Sequence, residues 1–314
     1  MLILSYHNGL YLQNRIVVIL GNGFIGSSLS QKLMKYGPSE IKKYKIDWSN
    51  DEKFDEQIKQ SIYHVQKTKN VKQIDWVWSA GKTGFGSSIE ETDKEFKLFH
   101  SFLEMIKNES LSSLSTIPFV FHLTSSAGGI FEGVVNISKN TLPAPKRPYG
   151  QLKLAQENLA RELFPNNTRI YRLSSVFGNS INNQRVGIIT ALIRNTLTCR
   201  MTNIYGSFDT KRDYVWVDDL SNFIVDKIVL NSKSEESLFF LASGKASSIF
   251  EIIELVKKTT NVKVMYKLEF STQNNQQIVF SPSVLPKNWK STSLETALRI
   301  VYQQILVSNT NNFN

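Results

Sequence analysis

Cysteine is almost absent from this 314-residue chain: Cys199 stands alone, so no internal disulfide can form, and nothing near it has zinc-finger spacing. A reducing compartment follows, with cytoplasm the expected location, and Cys199 reads as a packing residue. The four histidines, His7, His64, His100 and His122, show no ligand spacing such as HExxH, which argues against any metal site. His122 sits in an apolar run and reads as a core histidine. Long hydrophobic runs are missing as well. Residues 1–15 contain Ile3, Leu4, Leu10, Tyr11 and Leu12, but His7, Asn8 and Gly9 interrupt them well short of a signal core or membrane span. This segment reads as a short lead-in to the first strand, and no membrane partner is expected. The net charge of +10 has no basic tract behind it: lysines come in small groups, such as Lys42, Lys43 and Lys45. With no recognition module beside that charge, nucleic acid is not an expected partner. A small substrate bearing a nucleotide would account for part of it.

What is present is an alternation. From residue 16, short apolar runs alternate with helical patterns, the signature of an α/β protein whose parallel sheet is covered on both faces. Strands are expected at 16–20, 43–46, 74–78, 118–123 and 169–172. Helices are expected at 27–36, 51–65, 89–106 and 149–163. Past residue 173 the regularity weakens: a polar loop at 178–184, a helix at 186–197, a strand at 214–217 and helices at 219–229, 249–259 and 292–305. A polar stretch runs through Gln273 to Gln277, and residues from Ser308 on read as frayed. Trp76 and Trp78 read as packing residues.

The first strand runs straight into Gly21-Asn22-Gly23-Phe24-Ile25-Gly26 and then a helix, the context that lifts a glycine pattern above chance. Gly21 permits a tight turn, Gly23 lets backbone approach a pyrophosphate, and Gly26 lets helix and strand pack closely. The helix N-terminus, opened by Phe24 and Ile25, supplies N–H groups and positive potential. The cofactor implied is NAD or NADP. Asp47, twenty-one positions after Gly26, is placed to accept hydrogen bonds from the adenosine ribose hydroxyls, which leans toward NAD. The lysines at 42, 43 and 45 could offset its repulsion of a 2′-phosphate, so NADP stays open.

A hydride-transfer site also needs a group that handles the hydroxyl proton. Tyr149 is the candidate, and an ordinary phenol, near ~10, needs a cation beside it to act as a base at neutral pH. Lys153 is four residues on, over the same helix face, and could also hold the nicotinamide ribose. At the end of the strand before that helix, Ser126, with Ser125 in reserve, would polarise the substrate oxygen. In isolation, Tyr149 and Lys153 would pass for an exposed pair on an amphipathic helix, and the serines for a strand-ending turn. Order and spacing favour function.

With these motifs in hand, the chain resembles the extended short-chain dehydrogenase/reductase family, in its nucleotide-sugar epimerase, dehydratase and reductase branch. The resemblance runs from Val17 to about Ile305 and implies a Rossmann-type doubly wound parallel sheet with a smaller, discontinuous α/β substrate-binding domain. Residues 1–178 and about 212–245 would form the NAD(P)-binding part, and about 179–211 with 246–314 the cap. The segment 75–81, ending in Ala80 and Gly81, looks like the family's fourth strand and its cofactor-lining turn. Arg212 looks like the arginine that grips a substrate diphosphate, a role suited to a bidentate guanidinium, or else it pairs with Asp213 or Asp218. Ser175 stands where many relatives carry a substrate-contacting asparagine. Ala127 and Gly128 replace the Asp-Glu pair of the dehydratases, so dehydration is not expected. The resemblance therefore implies a ketoreductase acting on a nucleotide-linked 4-keto-6-deoxyhexose, with a nucleotide-sugar 4-epimerase as the alternative. A catalytically silent NAD(P)-binding regulatory protein is the minor one. A homodimer is implied by the same likeness.

Overall fold

The computed structural model describes residues 1–7, 11–179, 187–230, 236–269 and 277–310. The polar loop expected at 178–184 and the Gln273-to-Gln277 stretch lie almost wholly outside these residues. The described chain divides into two compact units. The first comprises Met1–Ile130, Pro145–Arg172 and Ser221–Phe239, and the second Phe131–Ala144, Leu173–Leu220 and Phe240–Asn314. Residues 131–144, 173–178, about 212–220 and 240–245, expected from the sequence in the NAD(P)-binding part, thus fall in the second unit.

The chain opens with a buried strand, β1 (Leu2–Tyr6), not a lead-in. Leu2, Ile3 and Leu4 are apolar on both faces, and they bury by pairing antiparallel with β2 (Arg15–Leu20), from Leu2↔Ile19 to Tyr6↔Arg15. The helix α1 (Phe24–Met34) follows the glycine turn. Then comes β3 (Glu40–Lys43), three residues upstream of the expected strand and paired with β1 rather than with β2. Next are α2 (Asp51–Lys67), β4 (Gln73–Trp78) and α3 (Ile89–Leu111), the last started by a capping box between Ser88 and Glu91. β5 (Phe119–Ser126) runs into a single turn, α4 (Ala127–Ile130), and Pro148 at the first helical position opens α5 (Pro148–Leu163). β6 (Thr168–Leu173) completes the expected set.

The remaining elements are β7 (Ser175–Phe177), α6 (Ile188–Leu197), β8 (Thr202–Tyr205), β9 (Lys211–Trp216) and α7 (Val217–Leu230). After them come β10 (Leu238–Leu241), β11 (Ala246–Ser248), α8 (Ile249–Thr260), β12 (Tyr266–Glu269) and α9 (Leu294–Thr310). The last helix extends past Ser308, where fraying was expected. Cys199 follows α6 in the left-handed conformation, φ 51, and is exposed, so the packing role is corrected: its side chain points out of the turn that ends the helix.

The large sheet has the order β10-β6-β5-β4-β2-β1-β3, with β2, β4 and β5 parallel neighbours and β1 antiparallel to both of its partners. Its core gathers Val18, Leu20, Trp76, Trp78, Phe99, Phe102 and Phe121. Trp76 and Trp78 are packing residues as expected, Trp78 meeting Phe99 edge-on at 5.0 Å. A polar row crosses the same sheet. Arg15 donates to Asp75 at 2.6 Å, His122 bonds Asp75 at 3.1 Å and the Tyr171 hydroxyl at 2.9 Å, and all four are buried. His122 is therefore a satisfied core histidine, and burial holds its pKa below the ordinary value against the pull of Asp75. The second unit has its own core around Leu192, Ile193, Ile252, Val256, Leu298 and Val301, and a three-stranded sheet of order β11-β9-β7. Among the described residues no helix is long and apolar enough to cross a membrane.

Candidate active site

The glycine turn sits at the C-terminal end of β2, and its three glycines occupy three different environments. Gly21 has φ +92, and a Cβ there would lie 2.6 Å from the backbone N and Cα of Ala80, so the turn presses on the chain leaving β4. A Cβ on Gly26 would fall 1.8 Å from the Gly21 carbonyl oxygen. The Ser79 hydroxyl, 3.0 Å from the carbonyls of both Leu20 and Gly21, locks that contact. Gly23 is the opposite case: nothing lies within 4 Å of its Cβ position. It is the N-cap of α1, no side chain caps that helix, and no acidic residue stands in its first turn, where Phe24 and Ile25 begin the run. An open backbone ahead of uncapped N–H groups fits a pyrophosphate.

Asp47 lies four residues past β3. Its carboxylate accepts from the Ser49 amide at 3.0 Å and hydroxyl at 2.5 Å, which hold its carboxyl below the usual range. Its own N–H donates to Gln57 at 2.7 Å, and the neighbouring Trp48 meets Trp78 at 6.0 Å. The segment is thus tied to the end of β4, although β3 itself stands two places from β2 in the sheet.

At the other end of the site, β5 delivers two serines to opposite surroundings, as alternation along a strand requires. Ser125 is buried and donates to Glu157 at 2.6 Å, while Glu157 is held by Arg172 through contacts of 2.7 to 3.1 Å. Ser126 is half-buried, and its Oγ accepts from the Gly129 N–H at 3.1 Å. Gly129 in turn lies under the Tyr149 ring: a Cβ there would come within 3.0 Å of Cδ1 and Cε1. Gly150 allows the same approach from the helix side, its Cβ position being 2.1 Å from the Gly129 carbonyl. Two missing side chains therefore bring the Ser126 turn against Tyr149. Phe85 packs on the ring's surroundings at 5.6 Å, with the Arg147 guanidinium 5.1 Å over Phe85.

Lys153, one turn after Tyr149, is buried with its Nζ 5.7 Å from the Tyr149 ring centre. The ammonium donates to Glu95 Oε1 and Gln156 Oε1, each at 3.0 Å. Glu95 was not singled out from the sequence. Burial pushes its carboxyl up, but Lys153 and the donors from Thr83 outweigh that, leaving it below its usual range. A signal existed: Thr92, Glu95, Leu98, Phe99 and Phe102 form one buried stripe of α3, and a carboxylate inside such a stripe calls for a cation. Gly81 belongs to this cluster, since a Cβ there would lie 2.8 Å from Glu95 Oε1.

Ser175 and Arg212 both lie in the second unit. Ser175 opens β7 and pairs in register with Tyr214 of β9, two positions from Arg212. Asp213, expected as a possible partner of Arg212, instead accepts from Ser174, from Ser243 and from the Gly244 N–H, and faces the buried side of the strand. Arg212 is half-buried on the alternate side.

Residues 16–236 match the model of the NAD dependent epimerase/dehydratase family. The chain belongs to this family. It is an enzyme family with a nicotinamide cofactor, in keeping with the glycine turn and the Tyr149–Lys153 helix. Over 121 residues the chain is 31% identical to the dTDP-L-rhamnose 4-epimerase of Burkholderia thailandensis, a stretch covering 37% of this chain and 33% of that protein. Among solved structures it resembles the UDP-glucose 4-epimerase of Thermus thermophilus in complex with NAD, at a TM-score of 0.76 and 16% identity over 93% of this chain and 99% of that one. The RMD protein of Pseudomonas aeruginosa complexed with NADPH gives a TM-score of 0.72 and 16% identity over 93% and 98%. At such identities these structures show the fold, an α/β Rossmann-type sheet.

Proposed function

We propose that this enzyme is an NAD-dependent 4-epimerase of a nucleotide-diphosphate sugar, with a 4-keto-sugar reductase as the second reading. The observation that carries hydride transfer is the packing of the Ser126 turn against Tyr149, with Lys153 one turn away, at the C-terminal end of the central sheet. The resemblance speaks against dehydration: where the dehydratases carry an Asp-Glu pair, this chain has Ala127 and Gly128, both buried in α4. The order of the two readings follows the relatives: the match at 31% identity is a 4-epimerase, whereas the reductase reading has the NADPH-bound structural neighbour on its side. The order implied by the sequence motifs is thereby reversed.

A nicotinamide cofactor held at Gly23 and the first turn of α1 would supply hydride acceptance from C4 of the sugar and redelivery to the opposite face of the 4-keto sugar, which inverts C4 with no net redox change. Tyr149 holds the proton of the C4 hydroxyl, removing it as the carbonyl forms and restoring it when the carbinol is remade. Lys153 supplies the positive field that makes the phenol able to do so. Ser126 donates to the same sugar oxygen, while Ser125 is occupied by Glu157 and supports the turn from behind. Arg212 grips the diphosphate and Ser175 contributes to the substrate contacts, both in the second unit. Gly23 and the first turn of α1 hold the cofactor pyrophosphate.

The test is to purify the protein and assay its cofactor and products together. Copurified NAD, with interconversion of a nucleotide hexose and its C4 epimer and no net cofactor consumption, is the expected result. Stoichiometric loss of added NADH or NADPH with a nucleotide-linked 4-keto-6-deoxy sugar would establish the reductase instead. Failure of both, with unaltered biological activity on Tyr149→Phe substitution, would leave a binding protein.

A further inference from the structure

The carboxylate of Glu95 lies inside the cluster but has no part in the chemistry just described. Its geometry is unusually complete. Oε1 takes the Lys153 ammonium at 3.0 Å. Oε2 takes the Lys82 N–H at 2.9 Å, the Thr83 N–H at 3.0 Å and the Thr83 hydroxyl at 2.9 Å. One carboxylate on α3 thus joins the ammonium on α5 to the backbone that follows Gly81. An ammonium has three donors, and Glu95 and Gln156 take two of them. With two acceptors fixing the long side chain, the direction of the third N–H is fixed as well.

We propose that Glu95 is the positioning residue of Lys153: by pinning the ammonium and the 82–83 backbone together it aims the remaining lysine donor into the cofactor site. The inference rests on the reading of Lys153 as the cofactor-holding lysine. It assigns a second role to the same contact. A carboxylate 3.0 Å from the ammonium offsets its field, so Glu95 also sets how strongly Lys153 acts on Tyr149. The charged groups around the pair are Glu95 from α3 and Arg147 at the start of α5, which reaches toward Tyr149 through the Phe85 ring. From the stretch after β4 only backbone and a hydroxyl face Glu95, and Glu157, the next acid on α5, is turned to Arg172 and Ser125.

The experiment is a double-mutant cycle on cofactor affinity, which needs no turnover: Glu95→Gln, Lys153→Met and the pair, each titrated with NAD by calorimetry. Glu95→Gln keeps the shape and removes the charge, and it should weaken NAD about tenfold, the scale of a charged hydrogen bond. In the Lys153→Met background the same change should cost less than about twofold. Equal losses in both backgrounds would overturn the proposal and make Glu95 an anchor of the 82–83 backbone alone. A second readout is the pH profile of turnover. With the offsetting carboxylate gone, the limb that rises with pH should move toward acid, since the cation beside the phenol is then unopposed. A limb that stays in place with only a lower melting temperature would also overturn it. Should the Gln variant fail to fold, Glu95→Asp enters the same cycle, expected to keep the charge and the limb while losing part of the affinity. If the wild-type enzyme turns over no nucleotide sugar, the proposed reaction falls, and the affinity cycle still decides the role of Glu95.

Discussion

The two ends of the proposed site in the first unit are built by different means. At the reacting end, Tyr149 and Lys153 are placed by one helix: a spacing of four residues puts both over the same face, and Gly129 and Gly150 let the Ser126 turn close on them. At the proposed adenosine end, Asp47 is placed by pairings far apart in sequence. The N-terminal strand β1 enters the sheet between β2 and β3, antiparallel to both, so the strand that leads to Asp47 is one place further out than a direct β2 neighbour would be. The chain compensates after β3, where Ile46 and Trp48 return to the core beside Phe54 and Trp78. A site fixed by local covalent spacing tolerates little change, whereas one fixed by sheet edges can be rebuilt by an extra strand.

The largest effect should therefore come from the reacting end. Tyr149→Phe keeps the ring against Gly129 and Phe85 and removes only the hydroxyl, so turnover should fall by about 10²- to 10⁴-fold while the melting temperature hardly moves. Steady-state kinetics beside thermal melts check it, and a fall in turnover matched by loss of folded protein would mean that the ring was supporting structure. Next in size is Gly26→Ala. The new methyl would meet the Gly21 carbonyl oxygen at 1.8 Å, and because both partners are backbone the turn itself must shift. NAD affinity should fall by at least about a hundredfold, a loss of roughly 3 kcal/mol, measured by calorimetry. The same change at Gly23, with nothing within 4 Å, should leave the apo fold intact and act on affinity alone.

How much could be read beforehand follows the same division. The glycine turn, the Tyr149 helix and the buried Trp76 and Trp78 follow from local pattern, because a strand running into glycines and a helix, or an i,i+4 pair, is visible within about ten residues. β1 was missed because three apolar residues before a polar break do not declare a strand; its partner strand, β2, starts nine residues on, across a turn completed by Asn14 at φ 58. Glu95 was missed for a related reason: its partner is fifty-eight residues away, and only its place in an apolar stripe hinted that it was buried. The sequence favours Ser126 over Ser125, but the partner of Ser125 could not be read from it, since Glu157 reaches back to that serine from α5.

Toward the N-terminal ends of β2 and β4, away from the residues that follow those strands, the polar row of Arg15, Asp75, His122 and Tyr171 ties β2, β4, β5 and β6 together, so acid should weaken the sheet as a whole. The sign is fixed by burial. His122 is held neutral in the folded chain, its pKa below the ordinary value, while in the unfolded chain it takes up a proton near pH ~6.5. Stability contributed by the neutral form is therefore present above that pH and is lost as pH falls below it, at up to about 1.4 kcal/mol per unit. Melting temperatures from about pH 7 to 5 should fall more steeply for the wild type than for His122→Asn. Parallel slopes would show that the row does not carry the acid sensitivity.

The smallest effect belongs to Asp47, and it sharpens the comparison most. The carboxylate is solvent-facing and already holds the Ser49 amide and hydroxyl. Two acceptor oxygens leave capacity for ribose hydroxyls, but the water-exposed setting keeps the net gain from such bonds small. Asp47→Asn should weaken NAD no more than about fivefold, and by removing a negative charge it should weaken NADP less or strengthen it, since a 2′-phosphate would no longer face a carboxylate. Titration of both dinucleotides against the variant measures the ratio. A loss of NAD binding as large as that from Gly26→Ala would mean that the displaced edge is as tightly specified as the helix, because then the return of residues 46–48 to the core, and not the strand order, would be what fixes the ribose site.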